Sequence, residues 1–195
     1  MLRTLSLFFL CACTSLDVDG IVRATGPYAA GHQATTLTYN QAGTGESRTL
    51  PVQVWYPAID QGETFASYAV AELFELDSDT GLAAPEVVAG VHPVLVYSHG
   101  SGGYGSLAYP FAHHFASHGW VVVSPDHVGN TAADFGVRGF LQPAIDRPID
   151  VREVLDALER GELILPTSSV DTSRTAVMGH SFGGYTTFRL SLIHI

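Results

Sequence analysis

Lysine is absent from this 195-residue sequence, and its nine basic residues, all arginines, face 19 acids for a net charge of −10. A surface so poor in cations offers no electrostatic footprint for a phosphate backbone or an anionic lipid surface, which excludes nucleic acid as a partner. Charge of either sign is scarce at 14%, whereas 46% of the residues are hydrophobic. That balance fits one globular domain with a substantial core and excludes a disordered chain. Cysteine is nearly missing too: Cys11 and Cys13 are the only two. No internal repeat, low-complexity segment or second domain is visible. No apolar run reaches the roughly 20 residues of a spanning helix.

What is present at the start is "MLRTLSLFFLCACTS", with a cation at Arg3, an apolar run from Leu5 to Leu10 and small residues after it. This is the layout of a secretory signal. Leu10-Cys11-Ala12-Cys13 resembles the bacterial lipobox, which implies cleavage before Cys13 and acylation of that cysteine. With Thr14 and not Asp following it, the resemblance implies sorting to the outer membrane. The expectation is a signal peptide of lipoprotein type over 1–12, a polar tether over 13–33 and a folded domain over 34–195. The protein is then exported, anchored in the outer membrane through Cys13, or periplasmic or secreted if the signal is an ordinary one. A chain starting at Cys13 keeps no spare thiol for a disulfide or a nucleophile.

"ATTLTYN" and "RTLPVQVWYPA", joined by the Gly-rich "QAGTGES", predict an antiparallel hairpin at a sheet edge. Residues 59–91 show no clear strand, and "SYAVAELFEL" within them reads as a short helix in a long excursion. From Pro93 onward strands and helices alternate: "VLVYS", "LAYPFAHHFASHG", "WVVVSPD", "RPIDVREVLDALERG", "TAVMG" and a last helix. Near-continuous Val and Leu runs mark strands buried on both faces, and the intervening helices make parallel crossovers. The predicted class is α/β, doubly wound and mostly parallel with an N-terminal antiparallel hairpin. In the helix near residue 146, Asp146 is expected to cap, Pro148 to occupy the first turn and Gly161 to stop it. Val151, Val154, Leu155 and Leu158 form its apolar stripe.

The stretch "TAVMGHSFGGYTTF" places Ser181 between Gly179 and Gly183, where a strand pattern turns at once into a helix pattern. Such a bend strains the central residue and leaves no room for side chains two positions away on either side. Gly184 is expected to let the new helix approach the sheet. This is the G-x-S-x-G nucleophile elbow of the α/β-hydrolases, with Ser181 as candidate nucleophile. The oxyanion that a carbonyl develops under attack needs two donors. The backbone N–H of Phe182 supplies one, and Ser101, in the loop "YSHGSGGYG" with Gly100, Gly102 and Gly103, supplies the other. That loop lacks the Lys-Ser/Thr ending of a phosphate-binding P-loop.

"HGSGG", "FASHGWVVVSPDHVGNT", "DRPIDVREVLDAL" and "GHSFGGYTT", in this order and spacing, resemble the platelet-activating-factor acetylhydrolase and dienelactone-hydrolase-like branch of the α/β-hydrolases, and chlorophyllases as well. The likeness covers roughly residues 48–190 and is weaker over 59–91. It implies an α/β-hydrolase sheet, a Ser-Asp-His triad, no metal or other cofactor, and hydrolysis of small-molecule or lipid esters through an acyl-enzyme. Dienelactone hydrolases carry a cysteine nucleophile; Ser181 in that place favours the serine esterases.

His114 and His118 stand one helical turn apart beside His113, a spacing that suits a metal, but no carboxylate accompanies them. With Leu107, Phe111 and Phe115 read as the buried stripe, these histidines are expected on the exposed side. His180 is expected to pack beside the elbow and His99 to steady the oxyanion loop. Asp126 and His127, at a strand end, are expected to line the pocket; Asp150, Glu153 and Asp156 read as solvated charges. The family order puts an acid and then a histidine after the serine, yet residues 182–195 hold no Asp or Glu and only His194. On a helix that histidine stands ~20 Å from Ser181 along the axis. The chain is therefore expected to be a hydrolase lacking its C-terminal strands. A non-catalytic lipid-anchored binding module on the same fold is the rival reading.

Overall fold

A computed structural model describes residues 24–193 apart from 43, 71–73, 138 and 140. The signal segment 1–12, Cys13, most of the 13–33 tether and His194 lie outside the described residues. Seven strands form one sheet: β1 (Ala29–Asn40), β2 (Ser47–Ala58), β3 (Phe65–Val70), β4 (Phe74–Ala83), β5 (His92–Ser98), β6 (Val121–Pro125) and β7 (Val170–Gly179). Their order is β3-β4-β1-β2-β6-β5-β7. Three helices accompany them: α1 (Tyr109–Ser117), α2 (Gln142–Arg160) and α3 (Phe182–Ile193).

The hairpin β1–β2 is present, paired antiparallel from Ala29↔Ala58 to Asn40↔Ser47. It does not lie at the edge. The excursion read as partly helical is a second hairpin, β3–β4, and β4 adds to β1 in parallel through Ala30↔Gly81. Alanine, glutamate and leucine give "SYAVAELFEL" a helical look, but its burial alternates with a period of two, Ala66, Tyr68 and Val70 inward and Phe65, Ser67 and Ala69 outward. Tyr68 decides the matter by packing against His32, Trp55 and Tyr109. Tertiary packing overrides the local preference. The result is a mixed sheet, antiparallel over β2–β6 and parallel over β6–β5–β7.

Each face of the sheet has its own core. On one, Ala108, Ala112 and Ala116, at the start of α1 and along it, meet Trp55, Leu95 and Val122. On the other, Val151, Val154 and Leu158 of α2 and Leu190 of α3 meet Val94, Val96, Val121 and Val123. Alternate residues of β5 and β6 thus feed opposite cores, which is why these strands read as continuous apolar runs. All of β6 is buried.

Helix α2 begins earlier than its sequence implies. Pro143, and not Pro148, takes the first-turn position, and Asp146 lies inside the helix instead of capping it. Gly161 closes it in the left-handed conformation at φ 69°, as its position predicts. Pro148 has no N–H to return to the Ala144 carbonyl one turn back. The hydroxyl of Tyr185 on α3 approaches that carbonyl at 3.5 Å.

Candidate active site

The carboxyl ends of β5, β6 and β7 point the same way, and the segments that leave them gather over one rim of the sheet, where open α/β folds place their ligands. Ser181 stands between the end of β7 and the first turn of α3 with φ 53°; among the described residues Ala84 is the only other non-glycine at positive φ. The left-handed backbone turns the chain within two residues and leaves the Ser181 side chain exposed. Hydrogen bonds from Gly183 N–H to the His180 carbonyl (2.8 Å) and from Gly184 N–H to the Ser181 carbonyl (2.9 Å) lock the bend.

The flanking glycines are demanded by sterics. A Cβ on Gly183 would overlap the Ser98 carbonyl oxygen, and one on Gly179 would overlap the backbone of Gly183. Gly184 differs from expectation: a Cβ there would meet only the Gly179 carbonyl oxygen, at an ordinary 3.6 Å. The approach of α3 to the sheet is therefore set by Gly179 and Gly183 and not by Gly184.

The loop after β5 faces Ser181 across a cavity of about 250 Å³ lined by Tyr97, residues 99–104, Leu107, His180 and Ser181. Gly102 takes φ 72° and donates its N–H to the Asn130 carbonyl (2.9 Å), while Asn130 Nδ2 donates to Ser101 Oγ (3.0 Å). Ser101 is thus held by the segment that follows β6. Phe182, half-buried, opens α3, where the helix dipole places positive potential. A second, mainly apolar cleft of about 400 Å³ adjoins the first through Tyr97, Leu107 and His180 and is walled by Phe111 and Met178. His180 is exposed and stands between the two, not packed away beside the elbow.

Asp126 and His127 do not line this cavity. The Asp126 carboxylate accepts the Gly105 N–H (2.5 Å), and its pKa is pushed up to about 6, chiefly by burial. His127 is fully buried and forms the centre of a polar network under the site. Its Nδ1 donates to Asp150 Oδ2 (2.8 Å) and its Nε2 accepts from Ser98 Oγ (2.8 Å). Burial lowers its pKa to about 4, so the ring is neutral at pH 7. His127 N–H also donates to His99 Nε2 (3.0 Å), which leaves His99 Nδ1 to donate to the Gly100 carbonyl (2.6 Å). His99 thus ties the Gly100–Gly103 loop to the start of the segment after β6. Burial holds it neutral, well below its ordinary pKa.

Asp150, expected on a solvated face, is 0% exposed. It accepts from Arg48 at both oxygens (2.7 and 2.8 Å), from the Tyr39 hydroxyl (2.6 Å) and from His127. Burial alone would raise its pKa, but the hydrogen bonds from Arg48 and His127 outweigh that and hold it below the usual value. Four donors on two oxygens keep it ionised at neutral pH. Glu153 and Asp156, on the same helix, are half-buried.

Of the three histidines on and beside α1, His113 departs from expectation, while His118 is exposed as expected. Leu107 is exposed, and His113 is buried, hydrogen-bonded to the Tyr68 hydroxyl and at 3.0 Å to Thr80 Oγ1. The inward stripe is Ala112 and Ala116, whose small side chains let the helix lie close to the sheet. His118 Nδ1 donates to the His114 carbonyl (2.8 Å). Among the described residues no group of three or more His, Cys, Asp or Glu side chains could hold a metal ion.

The chlorophyllase family model matches residues 78–195. The chain belongs to the chlorophyllase family. The matched region contains both the Gly100–Gly103 loop and the elbow. No match was found among curated proteins. Among solved structures, this chlorophyllase-family chain is similar to a ferulic acid esterase from Streptomyces cinnamoneus, at a TM-score of 0.67 and 22% identity over 88% of the chain. The likeness gives it the α/β-hydrolase fold, and the chain spans 58% of the esterase's length.

Proposed function

We propose that this chain carries the nucleophile and the oxyanion hole of an exported serine-dependent carboxylic ester hydrolase that needs no cofactor. The observation that carries the reading is the left-handed Ser181, exposed at a cavity that it shares with Ser101. Strain of this kind, costing on the order of 1–3 kcal/mol, persists where a function requires it. Membership of the chlorophyllase family and the fold shared with a ferulic acid esterase support the same chemistry.

In this reading Ser181 Oγ attacks the ester carbonyl carbon as its proton passes to a base, and the carbonyl oxygen becomes an anion held by the N–H groups of Ser101 and Phe182. Collapse expels the alcohol and leaves an acyl-enzyme, which water then hydrolyses. The substrate is a small-molecule or lipid ester, and the apolar cleft beside His180 receives its hydrocarbon part. Acylated Cys13 would tether the domain to the outer membrane.

Among the described residues no histidine is placed as the base. His99 and His127 are committed to the buried network, and His180 precedes Ser181 with no carboxylate partner among the described residues. We therefore expect the 195-residue chain to hydrolyse esters several orders of magnitude more slowly than an intact triad, at the rate left by the oxyanion hole and binding. Two measurements test this. In a chain extended by the C-terminal strands of an intact relative, a fluorophosphonate should label Ser181 and no other serine, with labelling abolished in Ser181→Ala. Nitrophenyl ester hydrolysis should rise steeply in a chain extended by the C-terminal strands of an intact relative. Equal Ser181-dependent activity in both forms would mean that a base already exists here, and no labelling or activity in either would favour a binding module.

A further inference from the structure

Beneath the elbow, Ser98 Oγ, His127 and Asp150 are linked by hydrogen bonds of 2.8 and 2.8 Å, a Ser-His-Asp relay in which every member is 0% exposed. The relay does not end at Ser98. Arg147, also 0% exposed, donates from Nη2 to Ser98 Oγ (3.0 Å) and to the His99 carbonyl oxygen. From Nη1 it donates to Asn130 Oδ1 (2.5 Å), and from Nε to Thr186 Oγ1 (3.1 Å). Its guanidinium lies 4.8 Å over the Phe182 ring. One side chain of α2 therefore holds the end of β5, the segment after β6 that anchors Ser101, and the first turns of α3.

We infer that Arg147, oriented by the Ser98–His127–Asp150 relay, is a positioning residue that sets the spacing between the two oxyanion donors at Ser101 and Phe182. The inference rests on the reading of Ser181 as nucleophile. A guanidinium suits the task because its donors form a rigid planar fork that reaches several acceptors at once. An ammonium on the same stem could satisfy one side of the gap and not both. The charge is affordable at this depth because Arg48 and Arg147 are matched by Asp146 and Asp150, all buried. The relay supplies the register: the Ser98 hydroxyl donates its hydrogen bond to His127 Nε2 and so turns a lone pair toward Arg147. A displacement of about 1 Å between donors and reacting carbonyl is enough to cost about a hundredfold in rate.

The test compares the 195-residue chain with its Arg147→Lys and Ser98→Ala variants by two readouts. The first is amide hydrogen exchange at Gly102, Gly103 and Gly183, whose N–H groups bond to Asn130, Gly100 and His180. In Arg147→Lys these amides should exchange about tenfold faster or more while the β1–β2 ladder keeps its protection, because the loss is local. Ser98→Ala should move the same amides in the same direction by less, and it decides the matter if the lysine variant does not fold. The second, made on the same variants in a chain extended by the C-terminal strands of an intact relative, is fluorophosphonate labelling of Ser181, where the bond-forming rate constant should fall about a hundredfold with reagent affinity little changed. Unchanged exchange at the three glycines, or a rise matched by the β1–β2 ladder, would overturn the inference. Absence of labelling in the chain extended by the C-terminal strands of an intact relative would remove the nucleophile reading, and exchange in the 195-residue chain would still judge the role of Arg147.

Discussion

Ser98 and Gly179 are partners in the β5–β7 ladder, the last pair before both strands leave the sheet. The loop bearing Ser101 and the turn bearing Ser181 therefore start side by side, and the Ser98 carbonyl oxygen is the atom that a side chain at Gly183 would strike. The proposed nucleophile and its oxyanion donor share one anchoring point.

That anchoring predicts opposite results for adjacent glycines. Gly183→Val should prevent the elbow from forming and abolish labelling of Ser181. Gly184→Ala should be tolerated and should stabilise the chain by roughly 0.5–1 kcal/mol, since glycine is the poorer helix residue and the added methyl meets no close neighbour. Urea unfolding with labelling of each variant checks both, and a folded, labelled Gly183→Val protein would refute the steric account.

Acid should destabilise the fold well above the pH at which carboxylates titrate. Burial lowers the pKa of His32, His113 and His127 from 6.5 to about 4 in each case. The unfolded chain gains protons between those values that the folded chain refuses, so this stability is complete above pH 6.5 and drains as pH falls toward 4. Asp126, raised from 3.8 to about 6, opposes the trend, since its contribution is present at low pH and lost as pH rises. Three groups against one leave a net slope on the order of 2 kcal/mol per pH unit near pH 5. Equal urea midpoints at pH 5 and pH 7 would contradict it.

Asp150→Asn should cost about 3–5 kcal/mol, because it keeps the volume yet leaves Arg48 and Arg147 as buried cations with too little counter-charge. Chemical denaturation measures the loss directly. A change below about 1 kcal/mol, the usual size for a solvated helix charge, would return Asp150 to the surface role that its sequence implies.

Processing at the N-terminus has a separate test. Expressed in a bacterium with a lipoprotein pathway, the chain should fractionate with membranes, and Cys13→Ser should release it or leave it uncut. Identical fractionation and processing of the two would remove the anchor reading.

Much of the site was legible because its demands are local. The glycines flanking Ser181 answer to a single backbone bend, and the Gly161 stop to a single left-handed residue, so a short stretch contains the whole cause. The β3–β4 hairpin was not legible, since "SYAVAELFEL" prefers a helix in isolation, and its first residues join strand β3 only when Tyr68 finds Trp55 and His32. Asp150 misled for a similar reason: its partners Tyr39 and Arg48, paired across the β1–β2 hairpin, and His127, after β6, come from two distant segments. A trace of it was present in "DRPIDV", where a chain with only 14% charged residues sets three charges among Pro148, Ile149 and Val151.

The buried relay separates two properties of a catalytic serine that usually travel together. Ser98 has the proton acceptor and the orienting carboxylate, and Ser181 has the opening to solvent. Ser98 cannot react because no ester reaches it and because its free lone pair is already occupied by a cation. A substitution at Arg147 that also opened a channel would expose a second serine with its proton acceptor already in place. Loosening the guanidinium would then risk acylation of the wrong hydroxyl by the ester.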